Sequence, residues 1–196
     1  FKRWEWYWEP RINPTTGEFP VITDADVRIE LNKMDKVKTA SGNWTSLGPT
    51  TTTGGYAGIG RLNCVTFVSG NSNRFYVGAP AGGLWKTDDA GVTWKSVFDD
   101  TEDSAIGAIG IAPSAPQQVW VGTGETFLIR PAHAVGNGVY KSSNAGKTWK
   151  NMGLEKTYRI SRVIVHPTDT NTVYVASMGH THGPQQERGI YKTTDG

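Results

Sequence analysis

From Cys64 onward the chain alternates short apolar runs with clusters of turn formers, and within the runs the alternation has a period of two. Val65 and Phe67, and then Tyr76, are β-branched or aromatic residues in strand-like spacing, the pattern of side chains that point alternately to the two faces of a sheet. The pattern recurs. Residues 64–97 form one unit; a second starts at Ala105 and ends at Gly153 after an internal insertion; a third runs from Ile160, through another insertion, to Gly196. Lys86, Lys141 and Lys192 share one register and lie 55 and 51 residues apart. Each unit predicts strand, turn, strand, loop, strand, tight turn, strand. Ile111 and Val165 run up to Pro113 and Pro167, where the missing N–H ends the first strand of the unit. The connections 69–74, 114–118 and 168–172 are rich in turn formers, as antiparallel neighbours require. A repeat of this length suits a four-stranded β-propeller blade, for which related repeats run roughly 40 to 50 residues.

The tight turn is the sharpest local signal. Thr87-Asp88-Asp89-Ala90-Gly91-Val92-Thr93-Trp94 is echoed by Ser142-Ser143-Asn144-Ala145-Gly146-Lys147-Thr148-Trp149 and begun again by Thr193-Thr194-Asp195-Gly196. A short acceptor at Asp89, Asn144 or Asp195 can bond amides of its own turn, and Gly91 or Gly146 can supply a positive φ. These turns resemble the Asp box, and the chain from about residue 41 to 196 resembles the Asp-box (bacterial neuraminidase repeat) propellers, a superfamily of sialidases, xyloglucan-cleaving glycosidases and sortilin-like receptors. The resemblance implies an all-β fold of four-stranded antiparallel blades. It also implies that Thr87, Asp89, Gly91, Trp94, Ser142, Asn144, Gly146, Trp149, Thr193 and Asp195 are folding elements on the outer rim and not catalytic groups.

Trp44-Thr45-Ser46-Leu47-Gly48 matches Trp149-Lys150-Asn151-Met152-Gly153, the outermost strand of a unit, and is expected to be an orphan strand that closes a ring. A closing strand, two blades and part of a third do not make a ring, which needs on the order of 300 residues. The chain is therefore expected to be the N-terminal or ordered piece of a larger protein, or to have its open edge covered by a partner. Residues 1–40 read as an N-terminal extension. Thr23 can cap a helix over about 24–38, with Asp24 and Asp26 near its positive end and Val27, Leu31 and Met34 on one face. Trp4, Trp6, Tyr7 and Trp8 form an aromatic cluster suited to a plug packed on the domain. The order of these segments resembles the mature N-terminus of large secreted propeller proteins of Bacteroidota, many of which are type IX secretion substrates.

Composition narrows the functional classes. The 196 residues hold 20 Lys and Arg against 18 Asp and Glu, so no unbalanced basic patch points to nucleic acid or an anionic membrane. No apolar run is long enough to span a bilayer, and the start lacks a signal-peptide core. Cys64 has no partner for an intrachain disulfide and reads as a small buried hydrophobe.

Chemistry is expected in the long loops joining the second and third strands of each unit, because the strands are committed to packing. Their ligand-binding candidates are Glu125, Arg130, His133, His180, His182, Glu187 and Arg188. His180 and His182 would face one side of an extended segment, with His133 or Glu187 as a further ligand, but two histidines alone do not define a metal site and neither metal nor cofactor is expected. Glu125 and Glu187 are the carboxylates available for a glycosidase acid and base. In the xyloglucan-cleaving relatives that the chain resembles, a catalytic Asp precedes a Gly-Gly pair after the second strand. Here Pro80 stands at that place before Gly82-Gly83. Arg61, before the first strand, is placed like the first sialidase arginine or like a salt-bridging rim residue. The leading expectation is a secreted or cell-surface, non-catalytic module that binds a protein or glycan, with secretion cargo as a further role. The alternative is a glycoside hydrolase, sialidase- or xyloglucanase-like, with catalytic residues partly outside this segment.

Overall fold

The computed structural model describes residue 2, residues 9–18, 29 and 33, and residues 60–127, 134–180 and 184–196. The chain divides into two compact units, Phe1–Trp44 and Thr45–Gly196. In the first, a 3₁₀ turn over Glu9–Arg11 precedes a loop organised by Asn13, whose Oδ1 accepts the amides of Thr15 (2.9 Å) and Thr16 (3.2 Å). Ile29 and Lys33 are helical, while the rest of the helix expected over 24–38, the aromatic cluster Trp4–Trp8 and the closing strand 44–48 lie outside the described residues.

The second unit is built of antiparallel strands. In the first sheet, β1 (Cys64–Val68), β2 (Asn71–Gly78), β3 (Leu84–Thr87) and β4 (Lys95–Ser96) lie side by side in chain order. The second repeats the plan with β5 (Ile106–Ile111), β6 (Val119–Thr123), β7 (Val139–Ser142) and β8 (Lys150–Asn151). The third comprises, among the described residues, β9 (Arg159–Val165), β10 (Val173–Gly179) and β11 (Gly189–Thr193). The strand β2 starts inside the stretch 69–74 that reads as a connection. Ser69-Gly70 alone turns the chain, with Gly70 at φ 75°, and the ladder takes up the offset in an irregularity between Phe67 and Val68.

Period-two alternation decides how the sheets stack. Along β6, Val119 and Val121 point toward the first sheet and join Tyr76, Leu84, Phe98, Ile106 and Ile109 in one core layer. Trp120 points the other way, into a second layer with Val139, Ile160, Val163, Val173 and Val175. Both faces of β6 are covered, so the whole strand is buried, as a central strand with neighbours on each side must be. Small residues set the spacing. A Cβ on Gly78 would lie 2.4 Å from Ile106 Cγ2, and one on Gly122, the equivalent position of the second sheet, 2.3 Å from Ile160 Cγ2.

The shared lysine register has a structural counterpart. Lys86, Lys141 and Lys192 stand directly opposite Tyr76, Trp120 and Tyr174 on the neighbouring strand. Their ammonium groups sit 5.9, 4.8 and 5.5 Å from the respective ring centroids, close enough for a cation–π contribution in every sheet.

Candidate functional site

Two sets of residues carry chemistry: the tight turns at the outer end of each sheet and the loops between the second and third strands. In the first turn Asp89 is the hub. Its Oδ1 accepts the Thr87 hydroxyl (2.8 Å) and the Thr93 amide (2.8 Å), and its Oδ2 accepts the Thr93 hydroxyl (2.5 Å). The Gly91 amide donates back to Thr87 Oγ1 at 2.9 Å. The Thr93 hydroxyl, then the Thr93 amide and the Thr87 hydroxyl, hold the Asp89 carboxyl down at about 2, because each of these bonds favours the charged form.

The second turn uses a neutral side chain in the same geometry. Asn144 Oδ1 accepts the Ser142 hydroxyl (2.9 Å) and the Thr148 amide (2.9 Å), while its Nδ2 donates to Thr148 Oγ1 at 2.8 Å. In the third, the Thr193 hydroxyl reaches Asp195 Oδ1 at 2.6 Å. Gly91 and Gly146 take φ of 92° and 87°, and the alanines before them, Ala90 and Ala145, are also left-handed at 60° and 59°. The tryptophans that follow differ. Trp149 presents its edge to Phe98 at 5.0 Å and donates its indole N–H to the Val97 carbonyl at 2.5 Å, which ties the second sheet to the first. Trp94 packs edge-on to Phe75 of its own sheet at 5.4 Å and is 39% exposed.

Among the loops, the β6–β7 connection holds the best-organised group. Glu125 is buried, and its two carboxylate oxygens are engaged: Oε2 accepts from Arg61, and Oε1 accepts the Phe127 amide at 2.7 Å and Asn63 Nδ2 at 3.5 Å. Asn63 Nδ2 also donates to the Ile106 carbonyl at 2.9 Å, so the residue just before β1 is fixed to the second sheet. The Arg61 guanidinium lies 5.5 Å from the Phe127 ring centroid and its side chain remains 43% exposed. Phe127 is itself exposed. The group stands at the end of a groove of about 550 Å³ that runs along β1, β5 and β9 and is lined by Thr66, Ser161, Arg162 and Ile164 among others.

The β10–β11 loop is braced differently. The His180 ring meets Tyr158 edge-on at 5.8 Å, its amide donates to Gln185 Oε1 at 2.7 Å, and its carbonyl accepts from Arg188 Nη2 at 2.9 Å. Gln185 Nε2 continues the network to the Lys156 carbonyl at 2.8 Å, and the Glu187 carbonyl accepts the Tyr191 hydroxyl at 2.8 Å. Beneath this loop the buried Arg159 donates to the Gly179 carbonyl at 3.0 Å. Arg130, His133 and His182 lie outside the described residues, and among the described residues no three His, Cys, Asp or Glu side chains converge as a metal ion would require. Likewise, no helix among the described residues is long and apolar enough to cross a membrane.

Asn63 and Phe127 carry no signal in the sequence. They gain a place in the site only because Arg61 and Glu125, 64 residues apart, belong to different sheets that pack side by side.

No protein-family profile matches the chain, and no curated protein matches it. Solved structures do. An ancestral GH74 enzyme superposes with a TM-score of 0.53 at 24% identity, over 69% of this chain and 17% of its own length. The GH74 xyloglucanase from Xanthomonas campestris gives 0.52 at 19% identity, over 69% of this chain and 20% of its own. This chain thus spans a fifth or less of the length of either enzyme, and at these identities the likeness bears on the fold. Meandering antiparallel sheets, stacked through their inner strands and superposable on these propellers, are blades, and the chain is a partial β-propeller.

Proposed function

We propose that the chain is part of a secreted or cell-surface Asp-box propeller whose loop face binds a protein or glycan without cleaving it. The state of Glu125 carries the reading. It is the buried carboxylate of the loop face, yet each of its oxygens already accepts a hydrogen bond from Arg61, Phe127 or Asn63. A general acid must hold a proton toward the leaving group, and a base or nucleophile must turn a lone pair to the substrate. Glu125 instead braces Arg61, so that an exposed guanidinium and an exposed phenyl ring face outward together. Such a pair offers planar hydrogen-bond donors and an apolar platform, the elements from which protein and sugar recognition are built. Pro80 supports the reading, because it stands where the xyloglucan-cleaving relatives that the chain resembles carry a carboxylate. Arg130, His133, His180, His182, Glu187 and Arg188 would extend the contact surface. The order of the N-terminal segments, which resembles the mature N-terminus of secreted Bacteroidota propeller proteins, supports a role as cargo of type IX secretion.

The test pairs binding with turnover. The chain is incubated with xyloglucan fragments and sialylated oligosaccharides while products are followed by chromatography, and its retention on immobilised glycans and candidate protein ligands is measured in parallel. Retention that falls in Arg61→Ala, with no product formed, is the expected result. Product release that vanishes in Glu125→Gln would overturn the proposal in favour of a glycoside hydrolase.

A further inference from the structure

The innermost strands of propeller blades border a central channel, so the groove along β1, β5 and β9 is a space that neighbouring blades leave open. Its volume of about 550 Å³ is in the range of ligand sites. Each of the three strands is the edge of its sheet, and such an edge presents main-chain N–H and C=O groups outside the ladder. The charge of the groove is one-sided. Among the described residues that line it there is no Asp or Glu, whereas Arg162 on β9 is exposed and makes no ion pair among the described residues. Arg61 stands at one end, and of the five donors in its planar fork it spends Nη2 on Glu125. The hydroxyls of Thr66, Thr126 and Ser161 belong to the same lining.

The wall also holds an acceptor that lacks a donor. Asn63 Nδ2 faces two acceptors, the Ile106 carbonyl and Glu125 Oε1, which fixes the orientation of the amide. Its Oδ1 is buried and has no hydrogen-bond partner, and such an atom beside a groove points to a donor brought by an occupant. These features select one kind of occupant. Guanidinium groups take carboxylates through paired N–H bonds, edge strands take an extended main chain, and the orphan acceptor takes a main-chain N–H. A glycan brings no main chain and rests on ring faces, of which the groove offers one, Phe127.

We propose that the groove binds an extended acidic peptide segment of a partner protein, with its carboxylates on Arg61 and Arg162 and its main chain against the inner strand edges. Main-chain hydrogen bonds supply the part of the affinity that is indifferent to sequence, and the two arginines supply the preference for acidic side chains. This rests on the binding role of the loop face, whose partner it names as a protein, and it adds Arg162 to the residues that make the contact.

A fluorescein-labelled peptide of alternating glutamate and threonine tests it, titrated with the full 196-residue chain and read by polarisation, with hydrogen exchange to locate the contact. Saturable binding is expected, weakening as salt is raised, with new protection in β1, β5 and β9. Arg162→Ala, an exposed change whose fold is checked by circular dichroism, should weaken binding by about fivefold or more. Arg162→Lys, which keeps the charge without the fork, should recover part of that loss. The proposal fails if no binding is seen up to about 1 mM, far weaker than a specific contact. It fails equally if Arg162→Ala binds as the parent does, if protection maps elsewhere, if a peptide of alternating lysine and threonine binds as well, or if oligogalacturonate binds more tightly than the glutamate peptide. Refusal of the glutamate peptide with Arg61-dependent retention on another ligand intact overturns this proposal alone, whereas release of product from a glycan removes the reading of the loop face with it.

Discussion

Replacing Trp149 by alanine should loosen the first sheet from the second, and the cost can be worked from its contacts. An indole buries about 150–250 Å² when fully covered; Trp149 is partly buried, so roughly 100 Å² at about 25 cal/mol per Å² gives ~2.5 kcal/mol. The edge-to-face contact with Phe98 adds ~1 kcal/mol, and the N–H bond to Val97 adds another ~1 kcal/mol net. Relaxation at the open rim offsets part of this, which leaves about 3–4 kcal/mol, the lower range measured for large aromatic truncations. Trp94 holds the same sequence position but packs on Phe75 of its own sheet, is 39% exposed and makes no indole hydrogen bond among the described residues. Its replacement should cost about 2 kcal/mol, from area and ring contact alone. Urea unfolding of the chain followed by circular dichroism measures both, with unchanged slopes showing that the comparison is sound. Trp149→Phe separates the terms, since it keeps most of the ring and loses ~1 kcal/mol with the donor. The reasoning is wrong if the two alanine variants cost the same, for the inter-sheet contact then contributes nothing beyond the turn.

Three further outcomes follow from the geometry. Asp89 has a folded pKa of about 2, below the unfolded range near 3.9; its contribution is therefore complete above about pH 4 and is lost as pH falls through 2. Asp89→Asn, which copies Asn144, should remove that part of the acid sensitivity in urea midpoints measured from pH 5 to 2, and an unchanged pH profile would contradict the assignment. Gly122→Ala places a methyl 2.3 Å from Ile160 Cγ2 and should cost about 1–3 kcal/mol through overpacking; Ile160→Ala should then cost less in that background than alone, a coupling that strict additivity in a double-mutant cycle would refute. Burial, opposed by the Gly78 backbone hydrogen bond, pushes the Cys64 thiol up to about 11, so iodoacetamide at pH 8 should modify it far more slowly in the folded chain than in urea.

The strands and turns were legible because both signals are local. Period-two alternation and the shared lysine register marked the sheets, and the Thr-x-Asp-x-Gly and Ser-x-Asn-x-Gly spacings marked turns whose acceptors bond within four residues. The left-handed Ala90 and Ala145 escaped that reading, since alanine carries no signal for positive φ; the hydrogen bonds around Asp89 and Asn144 impose it. The loop face was less legible for the same reason. Glu125 stood out as a carboxylate in a long loop, but the partners that occupy its oxygens come from before β1, and only the packing of one sheet on the next brings Arg61 and Asn63 to it. The early start of β2 was hidden by Asn71, Ser72 and Asn73, polar residues whose side chains are exposed and so leave no apolar alternation to read.

The place of the second sheet between the other two has a consequence for how the chain comes apart. Its core residues divide between a layer shared with the first sheet and a layer shared with the third, so the outer sheets communicate through β5 and β6. Stability in such an array behaves as a row of units, each with its own term and one coupling term to either neighbour. Damage at Gly78, in the interface of the first and second sheets, should therefore fray the array from that side and leave the Gly122 interface protected in hydrogen exchange. Damage within β6 should break both couplings at once and turn a graded unravelling into a single collapse.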